Sequence, residues 1–373
     1  MRVLNIVNIG YVIPYFFGDQ FSYLSKKNIK SYVACIDDED FNYYIKKYNL
    51  NFLKIPIRRS ISIIDDIRCV IILCNFIKKE KIDLIIGHTP KGGLISVLTG
   101  LILRKKSIYV RHGLVHETSN GLKRLILILC EKFNSYFSDK TICVSPSVRD
   151  LSEKMNLSTP NKNLLLNKGT FNGVDTLKKF NPSYLIESSL NPKNIRFGFI
   201  GRFANDKGIV ELIDAWKEIY EIGLNHELVF AGYLDDRDPI PNDYNDFILS
   251  NENNIKYLGK IKDSIQFYNK IDVLVLPSYR EGFPTVVLEA SSMKKAVITT
   301  RSTGCVDSIL NLETGIFCDI NPNSIKSAME FYINHPKKIN EFGANGRSFV
   351  KNNFEQTIVW NNWSKIIKNL NYE

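Results

Sequence analysis

Two carboxylates, Glu281 and Glu289, have seven residues between them and frame a turn that joins the apolar run Val273–Leu276 to a helical pattern. This order is typical of a buried parallel strand that feeds a helix at the carboxyl edge of a sheet, where open α/β sheets bind ligands. The first N–H groups of such a helix have no partner within it and can receive an anion. They fall on Gly282, Phe283, Pro284 and Thr285. Amides that hold phosphate beside carboxylates that hold hydroxyl groups suit a nucleotide sugar.

A second group of candidate residues lies in the run GRFANDKG, where Arg202 follows a strand-like segment and Lys207 opens a helical pattern. An arginine and a lysine on either side of a strand-to-helix loop can bind a diphosphate. Their fixed positive charge offsets the charge on two phosphates as the leaving group departs. A solvated basic loop is the alternative interpretation.

Two of the five histidines, His88 and His112, each follow a predicted strand, at the edge expected to carry ligands. A lone histidine is more often structural than catalytic, but two on one edge favour a site. His88 precedes Thr89 and Lys91 and is a candidate for holding an acceptor phosphate. The aromatic loop at residues 10–18 either contacts an acceptor or packs between domains, and both interpretations remain open.

The stretch VLVLPSYREGFPTVVLEA (residues 273–290) resembles the signature of retaining glycosyltransferases of the GT-B fold, family 4. That signature has two glutamates eight positions apart around a Gly-containing turn. GRFANDKG matches the pattern of the same family, and NKGTFNGVD (residues 167–175) resembles its turn into the interdomain linker. Exposed glutamates on an ordinary strand-loop-helix are the alternative interpretation of the first motif taken alone.

The resemblance implies a site for a nucleotide diphosphate sugar, with UDP as the expected nucleotide. Arg202 and Lys207 would bind the diphosphate, helped by the helix amides near residues 283–285. Glu289 would bind the ribose hydroxyls and Glu281 the hydroxyls of the sugar ring. His112 would face the donor sugar in the cleft.

The implied reaction retains the anomeric configuration. A double displacement needs a carboxylate nucleophile, and no residue in the sequence identifies itself as one, so a front-face path assisted by the departing phosphate fits better. We expect no cofactor and no metal ion, because the Arg202/Lys207 pair would make a metal unnecessary. The D-x-D sequence at Asp236 and Asp238 is interpreted as a solvated loop.

The fold class predicted is α/β, a GT-B fold of two Rossmann-like domains that face each other across a cleft. The 373 residues suit two domains, and short apolar runs alternate with helical patterns in the βαβ rhythm of a parallel sheet. We predict an acceptor-binding domain at residues 1–175, a linker at 176–193 and a donor-binding domain at 194–353. Residues 354–373 are predicted as a helix that packs back on the first domain.

The charge is uneven along the chain. Residues 1–180 carry 28 Lys+Arg and 15 Asp+Glu, and the remainder carries 21 and 24. A basic half suggests an anionic partner. Nucleic acid is disfavoured because no nucleic-acid motif is recognisable, whereas an anionic membrane surface or a lipid diphosphate explains the asymmetry at least as well.

The apolar stretches are too short to span a bilayer, and no signal peptide is recognised. A basic, amphipathic helix at residues 123–137 could lie on a membrane, although a domain helix facing the sheet is the favoured interpretation. The resemblance implies a cytoplasmic protein at the inner face of a bacterial membrane. Its acceptor would be a polyprenyl-diphosphate-linked sugar or a growing surface glycan of O-antigen, capsule or exopolysaccharide. A nucleotide-sugar 2-epimerase and a non-catalytic sugar-nucleotide binder remain as alternatives.

Overall fold

The computed structural model describes residues 1–58, 60, 62–184, 190–221, 225–236 and 238–372. The chain forms two compact units. The first unit comprises Met1–Gly173 together with the residues from Gln356 onwards, and the second comprises Val174–Glu355. Of the stretch predicted as a linker, residues 185–189 lie outside the described residues, while Thr176 and Phe180 are buried in the second unit.

The first unit contains a parallel sheet with seven described strands. They are β1 (Arg2–Ile6), β2 (Lys30–Cys35), β3 (Asn51–Lys54), β4 (Leu84–His88), β5 (Lys106–Arg111), β6 (Lys140–Cys143) and β7 (Asn163–Leu165). Their order is β3-β2-β1-β4-β5-β6-β7, and the described pairings are all parallel. The order reverses direction between β1 and β4, and such a switch point is where open α/β sheets bind ligands.

The helices of this unit connect successive strands. They are α1 (Ile13–Phe16), α2 (Gln20–Lys26), α3 (Glu39–Tyr48), α4 (Ile63–Glu80), α5 (Thr89–Leu103), α6 (Gly121–Phe137) and α7 (Pro146–Lys154). Right-handed crossovers place α4, α5 and α6 on one face of the sheet, and α5 packs against both of the others. Side-chain caps begin two of the helices, since Asp38 accepts from the N–H of Phe41 and Ser145 from that of Val148.

The second unit repeats the same plan. Its strands are β8 (Arg196–Phe203), β9 (Glu227–Leu234), β10 (Ile255–Tyr257), β11 (Val273–Leu276), β12 (Ala296–Thr300) and β13 (Ile316–Cys318). Their order is β10-β9-β8-β11-β12-β13, again with parallel pairings, so the switch point lies between β8 and β11. The helices are α8 (Ile209–Glu221), α9 (Asn242–Leu249), α10 (Ile265–Tyr268), α11 (Thr285–Ser292), α12 (Pro322–Asn334) and α13 (Lys337–Phe354).

The last helix, α14 (Gln356–Tyr372), belongs to the first unit, where it packs on α2. Trp360 Nε1 donates to Asn172 Oδ1 at 2.8 Å, and the Trp363 ring meets that of Phe171 at 5.2 Å between centroids. Both tryptophans are buried. Short 3₁₀ turns lie at Gly10–Val12, Val115–Thr118, Pro160–Lys162, Pro182–Tyr184 and Asn205–Lys207.

The prediction of two parallel α/β sheets is confirmed, and the predicted strands differ from the observed ones mainly at their ends. The sequence analysis missed β7 and β13, which are three residues each. Each lies at the end of its sheet, and three residues are too few to show a periodicity.

Candidate active site

The candidate residues of the second unit gather at its switch point. Arg202 lies near the carboxyl end of β8, and Lys207 ends the 3₁₀ turn that follows this strand. The turn that carries Glu281 follows β11, which pairs with β8. The sheet order therefore brings together two motifs that lie some 75 residues apart in the sequence.

Lys207 and Glu281 form a direct ion pair. Lys207 Nζ donates to Glu281 Oε1 at 2.6 Å, and Ser278 Oγ donates to the same oxygen at 3.0 Å. The two charged side chains are 13% and 19% exposed, so the pair is shielded from water but still accessible. The turn after Lys207 requires a glycine, because Gly208 has φ +66° and a Cβ there would lie 2.2 Å from Pro277 O.

Arg202 is held by carboxylates of its own unit. Its Nη1 donates to Asp235, which is buried, and its Nη2 lies 3.6 Å from Asp206 Oδ1. Asp206 also accepts from Arg280 Nη2 at 3.3 Å. These contacts fix the guanidinium, with its charge partly balanced by Asp235 and Asp206.

The predicted anion-binding turn needs one correction. The helix α11 begins at Thr285, and Pro284 is its N-cap. Proline has no N–H, so Pro284 cannot donate to a phosphate, and the predicted amide donors reduce to Gly282, Phe283 and Thr285. The N–H of Glu281 is also engaged, because it donates to Thr303 O at 2.8 Å.

The loop after β12 supports the Glu281 turn from the other side. Gly304 has φ +80°, and a Cβ there would lie 2.4 Å from Glu281 O. A side chain at this position would force the two loops apart. The close approach of the Thr303–Gly304 backbone therefore fixes where Glu281 stands.

Glu289 belongs to a different hydrogen-bonded group on α11. Its Oε2 accepts from Tyr268 Oη at 2.9 Å and from Ser264 Oγ at 3.0 Å. Burial raises the pKa of the Glu289 carboxyl, although Lys179 and the two hydroxyl donors act in the opposite direction. The two glutamates of the motif thus have separate partners and separate environments, as two distinct binding roles require.

In the first unit, the two histidines are in contact at the carboxyl end of adjacent strands. His88 ends β4, His112 follows β5, and His88 Nδ1 lies 3.0 Å from His112 Nε2. His88 Nε2 lies 3.1 Å from Asn5 Oδ1 on β1. Burial and the neighbouring His112 lower the pKa of His88 well below its usual value, and burial lowers the pKa of His112 to about 3.

The hypothesis that His88 holds an acceptor phosphate is wrong. His88 is fully buried, and both of its ring nitrogens are engaged by Asn5 and His112. A neutral, enclosed imidazole offers no charge to an anion. His112 is the more accessible of the two, and the Phe16 ring stacks on it at 3.6 Å between centroids. The aromatic loop at residues 10–18 therefore packs on the histidine pair through Phe16, while its Tyr15 is 61% exposed.

The helix α6 packs against its own unit with its polar side. The buried residues of this helix are Glu131, Asn134 and Ser135. Its large exposed apolar and aromatic side chains are Leu122, Leu125, Ile126, Leu129, Tyr136 and Phe137. The favoured prediction of a domain helix is right about the packing, and Ile128 packs on a buried cluster that includes Leu114 and Cys143. Several apolar side chains of the helix are nevertheless exposed.

The D-x-D segment does not converge with other metal-binding side chains in the described part of the chain. Asp236 is exposed, and Asp238 accepts from the N–H of Asp206 and from Asn205; Arg237 lies outside the described residues. Within the described ranges, no group of three or more His, Cys, Asp or Glu side chains is arranged to hold a metal ion.

The two parallel α/β sheets begin with the same strand order, and the sheet of the first unit has one more strand. This is the architecture of the GT-B fold. The solved structure of Anabaena Alr3699/HepE in complex with UDP-glucose superposes with a TM-score of 0.79, covering 99% of this chain and all of that one at 15% identity. At this identity the likeness shows the fold.

The sequence comparisons identify the family. Residues 184–349 match the family described as glycosyl transferases group 1, and residues 20–162 match glycosyltransferase family 4. The capsular polysaccharide biosynthesis glycosyltransferase CapM of Staphylococcus aureus is 31% identical over 370 residues, which cover 96% of this chain and 94% of CapM. The chain therefore belongs to glycosyltransferase family 4.

The name of a further relative states its donor and its acceptor. The UDP-Gal:alpha-D-GlcNAc-diphosphoundecaprenol alpha-1,3-galactosyltransferase of Escherichia coli is 26% identical over 348 residues, 90% of this chain and 88% of that protein. Both relatives are glycosyltransferases, which confirms the class of enzyme predicted from the motifs.

Sequence reasoning missed the residues that support the site. Tyr268, Ser264, Ser278 and Asp235 each contact a predicted site residue. Only Ser278 lies in a recognised motif, the stretch 273–290, and its role was not predicted. Asn5 was missed as well, although an asparagine inside a buried apolar strand needs a hydrogen-bond partner, and that signal was available in the sequence.

Proposed function

We propose that this protein is a retaining, metal-independent glycosyltransferase that moves a hexose or an N-acetylhexosamine from a UDP-sugar to a lipid-linked or growing glycan acceptor. The acceptor belongs to bacterial O-antigen, capsule or exopolysaccharide synthesis. The observation that carries the proposal is the Lys207–Glu281 contact of 2.6 Å beside Arg202. It supports the proposal because the reacting end of a nucleotide sugar presents a phosphate, which a cation can bind, beside hydroxyl groups, which a carboxylate can bind.

In this proposal, Arg202 and Lys207 hold the diphosphate, and the N–H groups of Gly282, Phe283 and Thr285 assist them. Glu281 accepts hydrogen bonds from hydroxyls of the transferred sugar. Glu289, held by Tyr268 and Ser264, accepts from the ribose hydroxyls. The printed name of the Escherichia coli relative, with a UDP-sugar donor and a diphosphoundecaprenol acceptor, supports these substrate classes.

Catalysis in this scheme is positioning and electrostatic stabilisation. The departing diphosphate gains negative charge, and the two cations positioned by Glu281, Asp235 and Asp206 stabilise that charge. The leaving phosphate oxygen helps to deprotonate the acceptor hydroxyl on the same face of the sugar, so the configuration is retained. The cations supply the charge that a metal would otherwise supply.

The test is a panel of UDP-sugars assayed for hydrolysis and for transfer in EDTA, with the wild type and Lys207→Ala. We expect one UDP-sugar to turn over without metal. Lys207→Ala should lower kcat/KM by about 10²–10³-fold, as for loss of one stabilising donor. Lys351→Ala, which removes an exposed lysine of α13, is the matched control and should behave as wild type.

Two results would contradict the proposal. Turnover that requires a divalent metal would reject metal independence. A UDP-sugar activity that is the same in Lys207→Ala and wild type would reject the donor site itself. Determination of the product anomer by NMR tests retention separately.

We also propose that the enzyme works as a peripheral protein on the cytoplasmic face of the inner membrane. The supporting surface, here called the α4–α6 surface, consists of exposed apolar residues on two helices that flank α5. They are Ile63, Ile64, Ile67 and Ile71 on α4 and Leu122, Leu125, Ile126 and Leu129 on α6. Exposed Lys123, Arg124 and Lys132 on α6 complement an anionic lipid headgroup layer. Among the described residues, no helix is both long enough and apolar enough to cross a bilayer.

This surface is tested by sedimentation with vesicles of phosphatidylglycerol and of phosphatidylcholine. The protein should bind the anionic vesicles, and Lys123→Gln with Arg124→Gln should weaken binding by about fivefold for each charge removed, at about 1 kcal/mol per basic residue. Leu125→Gln with Leu129→Gln should weaken it further, while Leu249→Gln, an exposed leucine of the second unit, should not. Equal binding to neutral and anionic vesicles, or none to either, would reject the surface as a membrane contact.

A further inference from the structure

We propose that Asn5 and His88 are positioning residues that hold His112 in a single neutral tautomer, with Nδ1 left to accept a hydrogen bond from a sugar hydroxyl. The identity of the hydroxyl rests on the function proposed above. The tautomer follows from the contacts within the first unit alone.

The direction of the hydrogen-bond chain is fixed at one end by a backbone carbonyl. Tyr32 O can only accept, and Asn5 Nδ2 lies 3.4 Å from it. The amide of Asn5 therefore turns its Oδ1 towards His88. Because Oδ1 can only accept, the atom that donates to it, 3.1 Å away, is the Nε2–H of His88.

The same reasoning determines which nitrogen of His112 carries the proton. A neutral His88 with its proton on Nε2 has a lone pair on Nδ1. His112 Nε2, 3.0 Å from that lone pair, must then carry a proton and donate it. A neutral His112 with its proton on Nε2 has a lone pair on Nδ1, and among the described residues this nitrogen has no hydrogen-bond partner.

The surroundings keep both rings neutral. Phe16 stacks on His112, and Phe17 and Phe171 meet the edge or face of His88 at 5.0 Å and 5.1 Å between centroids. Phe16 and Phe17 lie at the C-terminal end of α1, and Phe171 directly precedes Asn172. None of these three neighbours is charged. The lowered pKa of both histidines has burial as its main cause, and His88 is further disfavoured as a cation by His112.

An Nδ1 lone pair selects the chemistry of the group that it meets. It accepts from a hydroxyl, whereas a phosphate or carboxylate oxygen presents lone pairs of its own and would be repelled. His112 is therefore a residue that orients a sugar hydroxyl, and it is not part of a phosphate site. Asn5 and His88 act through it by fixing which nitrogen carries the proton.

The direct test uses protein labelled with ¹⁵N in its five histidine rings and a long-range ¹H–¹⁵N correlation spectrum at pH 7. We expect His88 and His112 both as Nε2–H tautomers, assigned by the loss of signals in His112→Gln. A His112 in the Nδ1–H form, or as an imidazolium, would overturn the proposal. The spectrum needs no substrate, so a correct tautomer in a protein that transfers no sugar would reject the proposed function and leave the positioning chain standing.

A second test reverses the direction of the hydrogen bond between His88 and His112. In Asn5→Asp a carboxylate faces His88 Nε2 and stabilises the imidazolium, so the pKa of His88 rises. The protonated ring must donate from Nδ1 to His112 Nε2, and His112 must then carry its own proton on Nδ1. Transfer activity should therefore gain an acid limb that the wild type lacks, with kcat/KM falling about tenfold or more as His88 protonates.

Asn28→Asp is the matched control, because Asn28 is exposed in a turn and the same substitution there leaves the histidines untouched. It should keep the wild-type pH profile. An Asn5→Asp profile that is parallel to the wild type at every pH, with a folded protein, would show that the tautomer of His112 does not matter to transfer. If Asn5→Asp does not fold, the wild-type spectrum still decides the proposal.

Discussion

Lys207 and Glu281 hold each other at 2.6 Å with Ser278 on the same carboxylate oxygen. A diphosphate that binds Lys207 therefore competes with Glu281. A UDP-sugar offsets this cost, because its sugar hydroxyls can donate to the carboxylate that the lysine releases. With the roles proposed for Lys207 and Glu281, we expect the pair to favour the intact donor over UDP, which offers a phosphate to Lys207 but no sugar to Glu281.

Glu281→Gln tests this competition. Loss of the carboxylate should tighten UDP binding by about fivefold, since a partly shielded ion pair of about 1 kcal/mol no longer competes. The same change should lower kcat/KM for sugar transfer by about 10–100-fold, because a hydrogen bond to a charged acceptor contributes about 1.5–3 kcal/mol. Titration calorimetry with UDP and steady-state kinetics measure the two effects.

Glu313→Gln, at an exposed position of the second unit, is the control and should change neither value. Weaker UDP binding in Glu281→Gln would mean that Glu281 supports the nucleotide itself. The roles assigned to Lys207 and Glu281 would then have to be revised together.

At the scale of the elements, α6 is attached to the sheet by a buried polar network. Arg111 Nε on β5 donates to Glu131 Oε2 at 2.7 Å, and Tyr109 Oη donates to Glu131 Oε1 at 2.7 Å. Arg111 Nη2 donates to Ser135 Oγ at 2.6 Å. Because these contacts occupy much of the inner side of the helix, several of its apolar residues are left on the outer side.

Glu131→Gln should therefore lower the stability of the first unit. Removing one charge of a buried pair leaves Arg111 uncompensated, which costs about 3–5 kcal/mol. Replacing both partners with apolar residues, in Arg111→Met with Glu131→Leu, should cost less than Glu131→Gln alone. Urea unfolding followed by circular dichroism measures both variants, and a Glu131→Gln protein as stable as wild type would show that the pair does not anchor α6.

The same helix shows what the sequence could and could not predict. The period of residues 123–137 predicts an amphipathic helix, and the structure has one. Periodicity distinguishes two sides of a helix but does not say which side meets the sheet. The side of α6 that meets the sheet depends on Arg111, a buried cation on β5. Only the tertiary structure brings Arg111 to Glu131.

The donor motifs were more predictable because local sequence determines them. A strand, a turn and a helix N-terminus place Lys207 and Glu281 at the same sheet edge once the strand order is known. The contact between His88 and His112 was harder to predict from the sequence. It depends on the pairing of β4 with β5 in the register His88↔Val110 and on an asparagine from β1.

At the scale of the whole molecule, each unit carries its candidate residues at its own switch point. In the first unit these residues are Asn5 and His88, on the two strands where the order reverses. In the second they are Arg202 on β8 and Glu281 after β11. The residues proposed to bind UDP all lie in Val174–Glu355, whereas the first unit contains residues from both ends of the chain.

Trp363→Ala tests this division of labour. Trp363 is buried in the first unit, where it packs on Phe171, the residue that also contacts both histidines. Truncation should destabilise the first unit by about 3–5 kcal/mol and leave the affinity for UDP unchanged. Trp216→Ala, which removes an equally buried tryptophan of the second unit, should do the reverse and weaken UDP binding as that unit loosens. Urea unfolding and UDP titration of both variants decide the matter, because loss of UDP binding in a folded Trp363→Ala protein would show that the donor site depends on the first unit.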